Sequence, residues 1–436
     1  MYPRLLILLL GFLITANSMA TTLPLPPLER QEAFKVITIE GEDVPVALGS
    51  ALKDLSLVAI VDNVMEPVPF QIDQYNEGGG IYFEGWDIPL AGNIKSFDAA
   101  DKLLFLYKDA GPRRTARDVY DGEVLAEIML EDAAGVARFV YLVKGSRLRS
   151  DEQYVRYSSE LGFVETDFYQ MRYNPGNHLK WDDFQATNFV GERPLDSMKL
   201  RLNMGVVTSL VPLELNNDDL VAIPKGEHIG PIRTTTQLDL TMYYLEVPIM
   251  HLSMQVHHYP KSVMYDVRGV IPEFRRMLMN QPYLNMSLDA NRLLGSTVRM
   301  ANGPKEPGIV DGSISAIEEQ MRKTSFTPDN NWFWVSTLRN LDVVAFLNYL
   351  GDFNEPVSPY IQDDLDKEDP PEVFLGQLPN LGYTIHSFPK QGFMGLVVSI
   401  YFDEGMSGDP EVFTKQLRTA PEIQVRPTQV STWAPR

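Results

Sequence analysis

The sequence predicts an all-β protein: an N-terminal antiparallel β-sandwich over residues 21–150, then a larger antiparallel two-sheet domain over residues 151–436, with few short helices. Three observations carry this. Apolar residues recur with period two in short runs separated by Gly, Asp and Asn clusters. The runs lengthen after Tyr154. No internal repeat of fixed period marks a propeller or solenoid.

The first twenty residues, MYPRLLILLLGFLITANSMA, carry one cation (Arg4), an apolar run from Leu5 to Ile14, and small residues at Ser18 and Ala20. This predicts a secretory signal peptide cut after Ala20, and with it a periplasmic or extracellular bacterial protein. A membrane anchor fits less well, because spanning needs about 20 apolar residues. No later segment of the sequence is long and apolar enough to span.

"FKVITIEG", "LSLVAIVD", "VPFQID", "KLLFLYKDAG", "EVLAEIMLED" and "ARFVYLVKG" follow as six short strands, which fit one sandwich. Between them, "YNEGGG" reads as the turn of a hairpin whose glycines supply positive φ, joining "VPFQID" to "GIYFEG". On that reading Val68, Phe70, Ile72, Ile81 and Phe83 are buried, and Asp73, Glu77, Glu84 and Asp87 lie on its wet side and ends. Beyond Tyr154 come longer runs such as "SMKLRLNMGVVTSLVPLEL" and "GPIRTTTQLDLTMYYLEVP", too long for a small sandwich and suited to a large curved sheet pair. Helices are predicted from Pro272 to Asn280, with proline at the first position, and from Ser315, where Glu318 completes a capping box. "NWFWVSTLRN", "VVAFLNYLGDF", "GYTIHSF" and "GFMGLVVSIYFDEG" return to β.

Composition bounds the partners. The chain has 58 acidic against 38 basic residues, a formal charge of −20, and no cysteine. Such a surface repels nucleic acid and anionic lipid. Without cysteine there is neither a disulfide nor a thiolate metal site nor a lipid-modified N-terminal cysteine, so core packing alone holds the fold. A hydrophobic content of 44% supplies that core.

"VPFQIDQYN", "FDAADKLLFLYKDAG", "LPNLGYTIHSF" and "GFMGLVVSIYFDEG" together resemble a group of uncharacterised exported bacterial proteins. These join a small N-terminal β-sandwich to a larger domain similar to the galactose-mutarotase supersandwich. The resemblance implies that fold and carbohydrate as a ligand class. It transfers no catalytic residue, and fold analogy alone does not license a function.

Two catalytic templates fail. "GMSGD" lacks Gly-x-Ser-x-Gly spacing, and "NGPKEPG" lacks the glycine-rich cradle and Lys-Ser/Thr pair of a phosphate loop. The most informative constellation is Pro231 to Pro260. Alternation puts Arg233, Thr235, Gln237, Asp239, Thr241 and Tyr243 on one side of a strand, and His251, Ser253, Gln255 and His257 on one side of the next. Paired, they form a patch of guanidinium, amides and imidazoles suited to sugar hydroxyls or a uronate carboxylate; a plain solvent-facing sheet surface has the same pattern. Adjacent His257 and His258 must point to opposite faces. Trp332 and Trp334 share a strand face and can stack on sugar rings or fill a core. Asp363, Asp364, Asp366 and Glu368 are candidates for a metal, Ca²⁺, against a solvated acidic loop; Met254 and His258 share a face but are too few to hold copper, and no other cofactor is indicated.

Three functions fit: a non-catalytic binding or envelope-interaction protein with glycan as its ligand, a polysaccharide-active lyase or epimerase using the same face with His251 or His257 as base, or a structural subunit of an envelope complex. Which residues would be catalytic is not readable.

Overall fold

The computed structural model describes residues 25–62, 64–86, 88–115, 121–206, 212–370, 372–388, 393–405 and 408–428. The predicted leader and Asp87 lie outside them. The described chain is mostly β, as predicted.

After a single helical turn, α1 (Arg30–Ala33), the first sandwich is built from β1 (Val36–Glu40), β2 (Leu55–Val61), β3 (Val64–Pro67), β4 (Phe70–Asp73), β5 (Lys102–Leu106), β6 (Glu123–Glu131) and β7 (Ala137–Lys144). All six period-two runs are strands. A three-stranded sheet β1-β5-β4 packs on a larger sheet containing β3-β2-β7-β6. Ile37, Leu57, Phe105, Ile128 and Leu142 fill the space between them. β6 and β7 read as near-continuous apolar runs because they are covered on both faces: Met129, Phe139 and Tyr141 join a second apolar cluster behind the sheet.

In the large domain β8 (Arg156–Ser158), β9 (Phe163–Glu165), β10 (Tyr169–Asn174) and β11 (Asn177–Ala186) make a small four-stranded sheet. β12 (Leu195–Val206) and β13 (Pro212–Leu215) then begin one large sheet, and β14 (Leu220–Ile229), β15 (Thr234–Tyr244), β16 (Val247–Tyr259) and β17 (Ser262–Val270) begin the other. Next come α2 (Glu273–Leu278), β18 (Met279–Ala290), β19 (Thr297–Met300), β20 (Gly308–Ile309), α3 (Ala316–Arg322), β21 (Phe333–Ser336) and β22 (Asp342–Tyr349). β23 (Val357–Asp364), β24 (Gln377–Ile385), β25 (Phe393–Asp403), α4 (Pro410–Arg418) and β26 (Glu422–Pro427) complete the order. The sheets run β13-β12-β18-β24-β23 and β14-β15-β16-β17-β25-β22-β21-β19-β20. Leu200, Met286 and Leu381 from the five-stranded sheet meet Leu240, Met254 and Leu396 from the nine-stranded one in a shared core.

α3 starts as its sequence requires: Glu318 N–H donates to Ser315 Oγ at 3.3 Å while Ser315 N–H donates to the Glu318 carboxylate at 2.8 Å. Pro272 caps α2 from outside rather than occupying its first turn. The assignment of all residues after 150 to the large domain needs one correction. β26 returns to the first sandwich and pairs antiparallel with β6, Val425 opposite Ile128, where Ile423 and Val425 pack on the sandwich core. α4, whose Phe413 packs against Trp334 of the large domain, leads directly into β26.

Between the domains, Leu104 and Leu106 on the outward face of the three-stranded sheet pack with Tyr154, Ile232 and Tyr259 of the large domain. The small sandwich therefore lies against the outer face of the nine-stranded sheet. That contact decides where a ligand can go.

Candidate functional site

Strand register writes the outer face of the nine-stranded sheet as rows. One row runs His228, Thr235, His257, Met264, Ser399 and Phe346 from β14 across to β22. The next runs Gly226, Gln237, Gln255, Asp266, Val397 and Asn348. A third contains Tyr259, Ser262, Tyr401 and Val344. The polar side of β15 and β16 expected from alternation is this face, and His258 points the opposite way, buried between Tyr169 and Tyr173.

The part of the face around Arg233, Gln237, Gln255 and His257 is not open. It is occupied by the first domain. Gln71 Oε1 accepts the N–H groups of Ile232 at 3.0 Å and Arg233 at 2.8 Å. Arg233 is buried, bonded to Asp73, to Tyr259 Oη at 2.6 Å and to Tyr75 Oη at 3.2 Å. Asp73 also accepts from His228 Nε2 at 2.8 Å and Gln71 Nε2 at 2.7 Å. Burial pushes the Asp73 carboxyl upward, but the Arg233 charge and the His228 contacts outweigh it and hold it below the usual carboxylate range. The expectation that Asp73 belongs to a wet hairpin side is thus overturned. Gln71 and Asp73 are buried, while Phe70 and Ile72 are half-buried, because the polar edge of β4 faces a polar sheet.

The glycine turn docks too. Ile81 N–H donates to Gln255 Oε1 at 2.9 Å, and Gln255 Nε2 donates to the Ile81 carbonyl at 2.8 Å and to Gln237 Oε1 at 2.8 Å. Arg268 donates to the Gly78 carbonyl and pairs with Asp266. A Cβ at Gly79, whose φ is +75°, would lie 2.8 Å from Arg268 Nη1, and Phe83 covers Gly226 in the same way. "GIYFEG" forms no strand; it meets "VPFQIDQYN" through the isolated bridge Tyr75 to Ile81 and hydrogen bonds such as Asn76 N–H to the Gly80 carbonyl and Tyr82 N–H to the Gln74 carbonyl, both at 2.8 Å.

Placed residue by residue, the predicted patch does not assemble. Gln237, Gln255 and His257 are buried under the first domain. His257 contacts Thr235 Oγ1 at 2.9 Å, and burial keeps its imidazole below the usual histidine range. His251 is exposed and contacts Thr241 and Asp239, at 3.0 and 3.4 Å. It sits opposite Thr241, eight residues beyond Arg233, or roughly 26 Å along the strand. Trp332 and Trp334 are 4% and 6% exposed, with Nε1 groups directed at Glu411 and Asp342. They are core beneath α4, not a sugar platform.

The acidic candidates also separate. Asp363, one residue before the end of β23, points inward, where it accepts Asp311 N–H at 2.8 Å and Gly312 N–H at 3.0 Å, and burial pushes its carboxyl up to about 6. Asp364 accepts the N–H groups of Asp366 and Lys367 in its own turn. Further along, Asp369 and Glu372 pair with Arg201 and the buried Lys199. Among the described residues no three His, Cys, Asp or Glu gather in a metal-holding group.

What the sequence missed lies two strands over on the same face. Between β1, the β17-β25-β22 surface and the C-terminal end of α4 is a cleft of about 490 Å³, within the size range of small-molecule sites. Its floor is Met264, Ser262, Ser399, Tyr401, Phe346 and Asn348; Phe34, Lys35 and Thr38 form one wall and Arg418 and Thr419 the other. Lys35 Nζ donates to the Thr419 carbonyl at 2.8 Å and pairs with Glu32 at 2.7 Å, tying the walls together. Lys261 pairs with Asp403. Arg418 lies over the Phe346 ring at 5.2 Å and donates to Asn348 Oδ1 at 2.9 Å and to the Asp329 carbonyl at 3.0 Å. Burial raises the Tyr259 and Tyr401 phenols to about 12, so both remain neutral and able to donate. Two voids of about 50 Å³ each elsewhere are gaps in the apolar core between the sheets.

No family model and no curated protein matches the sequence. Among solved structures, an alpha-mannosidase from Enterococcus faecalis V583 is similar at 10% identity with a TM-score of 0.48, over 91% of this chain and 44% of that one. A protein in glycosyl hydrolase family 38, also from Enterococcus faecalis, is similar at 9% identity with a TM-score of 0.45, over 91% and 46%. This chain spans less than half the length of either. A likeness this loose brings neither protein's activity here.

Proposed function

We propose that the protein is a non-catalytic binding protein that takes a glycan into the cleft between its two domains, outside the cytoplasm. The cleft itself supports this reading: a volume of about 490 Å³ bounded by aromatic faces and by hydroxyl, amide and cationic groups. Carbohydrate recognition needs that mixture, because a sugar ring presents apolar C–H faces edged with hydroxyls. The lyase or epimerase alternative needs a base. The bases read from the sequence for it, His251 and His257, are not among the described lining residues, and the one carboxylate there, Asp403, is engaged by Lys261.

The test is a glycan array with the purified chain beside Ser399→Trp, which fills the cleft floor. Binding by the wild type and its loss in the variant is the expected result. An array with no positive saccharide, or binding untouched by Ser399→Trp, overturns the reading, and turnover of a bound polysaccharide selects the enzyme instead. Cell fractionation checks the compartment.

A further inference from the structure

The cleft is electrostatically at odds with the molecule around it. The whole chain carries −20, yet the described lining holds Lys35, Lys261 and Arg418 against the single carboxylate Asp403. Lys35 and Lys261 each have a carboxylate partner, Glu32 and Asp403. Arg418 differs, because the acceptors it meets are the neutral Asn348 amide and a backbone carbonyl. Its Cζ lies over Phe346, so the fork is held by an aromatic ring and an amide, and among the described residues no acid pairs with its charge. A net positive cavity within a strongly negative protein concentrates anions locally while the surface turns them away elsewhere.

Resting on the binding role proposed above, we infer that the glycan is acidic: a uronate-containing oligosaccharide whose carboxylate is taken by Arg418 beside Asn348, with a sugar ring against Tyr401 and the hydroxyls of Ser262 and Ser399. Arginine is suited to this because its fork can meet both oxygens of a planar carboxylate. A neutral sugar can accept its hydrogen bonds but offers no charge to pair with it.

Calorimetric titration of the full chain with oligogalacturonate and oligomannuronate, and with the same oligomers after reduction of their carboxyl groups, tests the inference. The expected result is that at least one uronate series binds, that its carboxyl-reduced form binds at least about tenfold more weakly, and that Arg418→Gln produces a comparable loss. Raising the salt concentration should weaken the uronate interaction and leave the reduced oligomers unchanged. If the reduced oligomers bind as tightly as the acidic ones, the inference fails while the glycan-binding reading stands. If sulfated but not carboxylated oligomers bind, the carboxylate assignment fails. If no saccharide of any class binds, the binding reading itself fails. The comparison of ligands on the wild-type chain decides these outcomes even if Arg418→Gln does not fold.

Discussion

Gln255 holds Ile81 in both directions, its Oε1 accepting from the Ile81 amide at 2.9 Å and its Nε2 donating to the Ile81 carbonyl at 2.8 Å. A side-chain amide thereby completes the backbone hydrogen bonding of a loop 174 residues away. Replacing it by Leu leaves the Ile81 N–H buried without its acceptor, while the Ile81 carbonyl keeps only Asn76 Nδ2 at 3.3 Å. Such an orphan costs about 1–3 kcal/mol. Gln255→Leu is expected to lower the denaturation midpoint and to raise amide hydrogen exchange at 78–82 ahead of the rest of the chain; unchanged exchange there would show that the loop is held by something else.

Arg233 and Asp73 form a buried ion pair across the same interface, 5% and 0% exposed. Removing one partner strands a charge, so Asp73→Asn or Arg233→Met should each cost about 3–5 kcal/mol, and the double variant less than their sum. The Asp73 carboxyl titrates below its unfolded value, so its contribution is fully present above about pH 4 and lost on further acidification. Acid unfolding of wild type and Asp73→Asn, followed by circular dichroism, reads this directly.

Asp289 behaves in the opposite sense. Buried beside Lys199, it has its carboxyl pushed up to about 7 by burial, with Lys199 opposing. A raised acid favours the fold at low pH and loses that contribution as pH rises from about 4 through 7. Asp289→Asn, which mimics the protonated acid, should therefore compare best with wild type above pH 7, and its relative melting temperature should fall on acidification to pH 5. A difference that does not vary with pH would contradict the shift.

His258 supplies a check of the reverse sign. Burial lowers its imidazole to about 3, so its stability contribution is present above about pH 6.5 and is lost as pH falls toward 3. Its ring nitrogens face Tyr169 and Tyr173 hydroxyls at 3.2 and 3.0 Å. Nitrogen chemical shifts should report a neutral ring at pH 5.

Trp332 and Trp334 are expected to resist acrylamide quenching and to keep their emission when saccharide is added. Trp334→Ala should cost about 3–5 kcal/mol as a core truncation. A quenchable, ligand-sensitive Trp334 would restore the stacking role that burial against Phe413 denies it.

Much of the β architecture was legible because period two and turn residues are local signals. Strands β17 and β18 keep one apolar face each, Val263, Tyr265 and Val267 in "SVMYDVRGV" and Leu284, Met286 and Leu288 in "MNQPYLNMSLDA", but the polar residues between them, with no marked turn at their ends, make those runs read weakly as strands. The right sheet face was legible as well, from alternation through Thr235, Gln237, Gln255 and His257. What covers it was not. Gln71 and Asp73 look solvent-facing in sequence, and only contacts from 155 or more residues away, at His228, Ile232 and Arg233, bury them. The cleft was hidden for a related reason: Ser262, Ser399 and Tyr401 are unremarkable in their own strands and become a site only when β17 and β25 pair and the first domain stops short of them.

The return of β26 to β6 has a consequence in time. A growing chain presents β1 to β7 early, but the free edge of β6 cannot be closed until residues 422–427 have emerged. The small sandwich is thus the first domain to be made and the last to be finished. Its closing strand is delivered by the helix that also carries Arg418, so the chain completes its first fold and one wall of its cleft in the same final step.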